Sequence, residues 1–172
     1  NASNGSLGAV DAPINLFMSG TLNASALNGN VAVNQIAGSL KLGTVLATGD
    51  PALGRGLASL TALNDIYGDA GNRISAARVE LDSMTGAVGG IAGNLNARLA
   101  LTVAPGYTDD RALQSQYGLQ VTAAGDIGID IVADPLRNPL GHLLADTIVS
   151  SGGDVRLTAP GRILDNNPNQ AI

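Results

Sequence analysis

The side chains best suited to chemistry crowd into one short run, Tyr107-Thr108-Asp109-Asp110-Arg111. Two carboxylates beside a guanidinium could move protons on a polysaccharide, provided that they converge on one outer face. Asp109 and Asp110 are also the one compact pair of carboxylates that could hold a cation. Pro105 and Gly106 precede the run, so it reads first as a solvated loop tip. Other chemistries have less to work with. His142 is the sole histidine and cysteine is absent, which leaves zinc without a ligand set and rules out a Cys nucleophile or a disulfide. Calcium-binding repeats carry dense Gly-Gly-x-Gly-x-Asp units, and this chain has none. Asp65 and Asp126 recur at one place in a repeated phrase, where an Asp serves turn chemistry. Ser150 and Ser151 have no evident base partner. The stretch GDAGNRIS from Gly68 to Ser75 lacks the Gly-Lys-Ser/Thr ending of a phosphate loop. Asn1, Asn4 and Asn23 open N-x-S triplets of the kind that an Asn- and Ser-rich composition supplies. The expectation is a protein that is not an enzyme, with no catalytic residue, no metal and no cofactor.

What must position these residues is legible from periodicity. Leu40, Leu60, Leu81, Leu101 and Val121 lie 20, 21, 20 and 20 residues apart, and Leu157 follows 36 residues later. Three of them open a shared phrase: LTALNDI from Leu60, VTAAGDI from Val121 and LTAPGRI from Leu157. Such self-similarity marks units that bury an apolar face only against their neighbours. The units read as strands. Val79 and Leu81 alternate with Arg78, Glu80 and Asp82; Ile127, Ile129 and Ile131 alternate with Asp126, Gly128 and Asp130. Leu99, Leu101 and Val103 share one side of Arg98–Val103, and Val155 and Leu157 share one side of Asp154–Thr158. Gly-Asp and Asn-Gly pairs punctuate them as turns. The pattern predicts an all-β fold, a right-handed parallel β-helix with coils of ~20 residues whose aliphatic rows stack about 4.8 Å apart. On the outer face, Thr61, Thr102, Thr122 and Thr158 are expected in one ladder, which Lys41 and Asp82 interrupt too often for an ice-binding surface. Loop excursions are expected at corners near 47–57, 105–117 and 134–144, where binding tends to sit. Tyr107, Asp109, Asp110, Arg111, Arg137 and His142 are therefore the candidate partner contacts.

Composition agrees. Hydrophobic residues make up 45% of the 172 and aromatic ones only 2%, so the apolar volume is aliphatic and suits a narrow stack. The net charge is −5 and Lys41 is the only lysine, which argues against nucleic acid and an anionic lipid surface as partners. No stretch approaches the ~20 apolar residues of a membrane span.

The LTA-x-G-x-I phrases, the repeat step and SSGGDVRLTAPGRILD from Ser150 to Asp165 resemble the large secreted adhesins of Gram-negative bacteria, the filamentous-haemagglutinin-like exoproteins of two-partner secretion. The resemblance spans Leu40 to Asp165. It implies a single β-helical segment, 1–172, of a longer extracellular stalk or fibre, with 1–38 less regular and no secretion-domain motif there. It also implies attachment or aggregation through a host or bacterial surface glycan or protein, or a biofilm matrix. The alternatives are a polysaccharide-active β-helix enzyme or a fragment of one, and a self-assembling extracellular fibre subunit.

Overall fold

Small aliphatic and β-branched residues fit a pleated, half-buried surface, and among the described residues they fold into thirteen short strands. The computed structural model describes residues 1–90 and 99–166. Its strands are β1 (Ile14–Leu16), β2 (Thr21–Ala26), β3 (Val31–Gln35), β4 (Leu40–Ala47), β5 (Leu57–Ala62), β6 (Ile66–Ala76) and β7 (Arg78–Ser83), followed by β8 (Leu101–Pro105), β9 (Gly118–Ala123), β10 (Ile127–Ile131), β11 (Leu143–Ser150), β12 (Val155–Thr158) and β13 (Ile163–Asp165). Odd-numbered strands form one sheet, β1-β3-β5-β7-β9-β11-β13, and even-numbered strands form the other, β2-β4-β6-β8-β10-β12. All pairings between these strands are parallel. The chain therefore changes sheet at every connection and returns one level further along.

Both sheets feed one aliphatic core. In the odd sheet, Val33, Leu60, Leu81, Val121 and Ile148 stand in register. In the even sheet the matching column is Val45, Ile74, Val103 and Ile131. Except for the half-buried Ile148, these side chains are buried. Each contributes roughly 1.5–3 kcal/mol, so no level is stable alone and the stack is.

The alignment corrects the sequence-derived column. Leu60, Leu81 and Val121 do line up, but Leu101 belongs to the facing sheet, where it pairs with Ile129, and Ile129 with Leu157. Leu40 pairs with Ile66. Between Leu81 on β7 and Val121 on β9, which are neighbours in one sheet, Leu101 on β8 belongs to the other. Equal spacing counted a half-step as a step. The threonine ladder divides in the same way: Thr61, Asp82 and Thr122 align on one sheet, and Thr102, Asp130 and Thr158 on the other. Leu99 is 52% exposed in an antiparallel bridge to Gly68, outside β8, and Arg98 lies outside the described residues.

One corner repeats a device with a period of two levels. Gln35, Ala62, Ser83, Ala123 and Ser150 are aligned, and three residues beyond each stand Gly38, Asp65, Gly86, Asp126 and Gly153. At the Gly levels the polar side chain donates to a carbonyl one level back: Gln35 to Met18, Ser83 to Asn64 and Ser150 to Gly125. At the Asp levels the carboxylate accepts a backbone N–H one level on, Asp65 from Ala87 and Asp126 from Asp154, each at 2.9 Å. A Cβ at Gly86 or Gly153 would run into the carboxylate of Asp65 or Asp126. Backbone atoms of the neighbouring level lie within 2.5–2.8 Å of the same Cβ positions, so the close stacking of the corner requires glycine there, and the Asp65 and Asp126 bonds link levels where the sequence predicts local turn chemistry.

The excursions leave the stack between strands. Pro51–Leu53 is a 3-10 turn whose first N–H groups are met by Asp50, and it ends on Gly54 at φ 68°. Gln114–Gln116 is a second. Asp134 and Asn138 pair in a small antiparallel bridge. A further bulge inside β6 falls at Gly68-Asp69, one of the Gly-Asp pairs that read as turns: the register with β4 jumps from Leu42–Gly68 to Thr44–Arg73.

Candidate functional site

Two of the three expected excursions meet. The anchor is Asn138, fully buried, whose Nδ2 donates to the Pro105 carbonyl (3.1 Å) and to that of His142, while its Oδ1 accepts the His142 N–H at 2.9 Å. One side chain thus ties the 134–144 loop to the end of β8. Across the small bridge, Asp134 is 6% exposed. Its Oδ1 accepts the Leu136 and Arg137 N–H groups at 3.0 and 3.2 Å, and its Oδ2 accepts from Ser75 Oγ at 2.9 Å. Arg137 Nη1 and Arg73 Nη2 stand 3.4 and 3.8 Å from the same oxygen. Burial pushes the Asp134 carboxyl upward, but these N–H donors, Ser75 and the Arg137 charge outweigh it and hold the carboxyl below its ordinary value.

On the outer side the Tyr107 N–H donates to the Arg137 carbonyl at 3.4 Å. The Tyr107 hydroxyl donates to Asp109, and its ring meets His142 edge-on, with centroids 4.7 Å apart at 61°. His142 Nδ1 accepts the Arg162 N–H at 2.8 Å, which leaves Nε2 to carry the proton of the neutral ring. The bond to Asp109, aided by burial and opposed by the Arg162 charge, raises the Tyr107 phenol above its ordinary value.

Of the six candidate contacts, Tyr107, Asp109, Arg137 and His142 are brought together. Asp110 turns away to accept the Ala112 N–H at 2.9 Å, and Arg111 is simply exposed. Asp109 and Asp110 therefore do not converge as an acid–base pair. Among the described residues no three or more His, Cys, Asp or Glu gather as a metal-holding group. Asn138, Asp134, Ser75 and Arg162 join them without being singled out by residue type or spacing as contact candidates. Asp134-Pro135 and Asn138-Pro139, two turn dipeptides four residues apart, were the available signal.

A second polar cluster lies on the outer face of the odd sheet. Arg78 reaches Glu80 (2.9 Å), Gln120 (3.0 Å), the Ser115 carbonyl (3.0 Å) and Asp146 (2.7 Å), spanning three levels. Burial acts to lower the guanidinium pKa, and the two carboxylates overcome it, so the net shift is upward. Both clusters fasten levels or loops together, and the first leaves a mixed aromatic and charged surface in which Tyr107 and His142 are half-buried and Asp109 and Arg162 exposed. No helix among the described residues is long and apolar enough to cross a membrane. Compared with protein-family models, with curated proteins and with solved structures, the chain matches none of them.

Proposed function

We propose that this chain is a non-catalytic stalk segment of a secreted or surface-displayed adhesin of the filamentous-haemagglutinin type, closed into a right-handed parallel β-helix. The observation that carries the reading is the strict alternation of strands between two parallel sheets, level upon level. Parallel strands joined by a crossover turn right-handed in nearly all known cases, which supplies the expected hand. The polar side chains support a mechanical role. Asp65, Asp126, Ser83, Ser150 and Arg78 spend their hydrogen bonds on links between levels. The half-buried Tyr107–His142 pair, with the exposed Asp109 and Arg162 beside it, is then the first place for contact with a surface glycan, a protein or a matrix.

Antibodies raised against residues 1–172 test this on intact cells that make the full protein. Labelling along extended surface projections is the expected result, with projections shortened when the segment is deleted in frame. Labelling only after permeabilisation, or release of sugar products from a glycan panel by the purified protein, would contradict it.

A further inference from the structure

The outer face of the odd sheet carries a cleft of about 290 Å³. Its floor is made by three consecutive levels, and the turn held by the Ala9–Ala12 bridge brings Val10 to its side. Asp82 stands at the middle level, with Thr61 one level before it and Thr122 one level after. Ser59 lies two residues along β5 from Thr61, on the same face. The polar groups around this cleft fall into two sets. Glu80 and Gln120, which line one end, are held by Arg78. Among the described residues, no hydrogen bond or ion pair engages the side chains of Ser59, Thr61, Asp82 or Thr122. A carboxylate without a counter-ion, bracketed by hydroxyls on both neighbouring levels, is a site for a ligand that brings a positive charge and hydroxyl groups together.

We infer that this cleft binds a cationic amino-sugar chain lying across the strands. The level spacing of about 4.8 Å is close to the repeat of an extended chain of 1,4-linked pyranose rings. A glucosamine ammonium on Asp82 then places neighbouring rings over Thr61 and Thr122. The net charge of −5 favours approach of a polycation and disfavours sulfated or phosphorylated glycans. The inference needs only the two-sheet fold and stands apart from the stalk reading.

Calorimetric titration of the 172-residue chain with a glucosamine hexamer at pH 5.5, where the sugar amine is charged, tests it. Saturable binding is expected, weakened at least tenfold by Asp82→Asn and several-fold by Thr61→Val with Thr122→Val. Asp130→Asn, outward on the other sheet, is expected to leave affinity unchanged, and thermal melts of all variants confirm folding. Equal losses from Asp82→Asn and Asp130→Asn would mean general charge attraction and would overturn the site. So would equally tight binding of the N-acetylated hexamer, or no binding at all. None of these outcomes bears on surface labelling of the parent protein.

Discussion

At the scale of residues, few side chains do two jobs, and Asn138 and Asp134 are among them. Asn138 satisfies three backbone groups from a fully buried position. Asn138→Leu leaves those groups unpaired and is expected to cost about 2–3 kcal/mol in urea denaturation. Asp134 gives a pH dependence. Its carboxyl titrates lower folded than unfolded, so its stabilisation is complete above the unfolded carboxylate value of about 3.9 and fades as pH falls through the folded one. Asp134→Asn should therefore cost about 1–2 kcal/mol at pH 6, with the gap to wild type closing in acid. A gap independent of pH would contradict the assignment. Tyr107 offers an optical check: one of three tyrosines should titrate late in ultraviolet absorbance, and Asp109→Asn should bring it back towards the others. The sequence made Tyr107, Asp109, Arg137 and His142 visible as loop residues of reactive type. It could not show that Asn138 welds their loops together, because burial of an amide is a property of the folded neighbours.

At the scale of elements, alternation within a strand was readable and the partner of each strand was not. Val79 with Leu81, and Ile127 with Ile129 and Ile131, face the core as their period of two demands. For Leu101 the alternation gives the right face and the spacing the wrong sheet, since a period of two says nothing about which sheet a strand joins. The faces make a direct comparison. Leu101→Asp buries an unpaired charge and should cost at least about 4 kcal/mol, or prevent folding. Thr102→Lys lies outward beside Asp130 and should stay within about 0.5 kcal/mol of wild type. The two-level corner makes another prediction. Gly153→Ala should destabilise because its Cβ would meet the Asp126 backbone nitrogen and the Gly125 carbonyl carbon as well as the Asp126 carboxylate, and most of that loss should persist in an Asp126→Ala background. Recovery of most of the lost stability in the double variant would contradict the backbone clash.

For the whole molecule, the account depends on which residues are neighbours along the stack. A uniform twenty-residue coil would place Thr102 beside Asp82, whereas two alternating sheets place Thr61 and Thr122 there and send Thr102 to the far side of the core. In the second arrangement the two sheets share one core. The chain has no cysteine, so paired cysteines report neighbours without background. Adjacent parallel strands bring Cα atoms to about 4.8 Å, inside the range a disulfide spans. Under mild oxidation Thr61→Cys with Asp82→Cys, and Thr102→Cys with Asp130→Cys, should each close a cross-link within the folded monomer. Asp82→Cys with Thr102→Cys should stay reduced, and ready closure of that last pair, with the first two open, would contradict the fold and the function built on it.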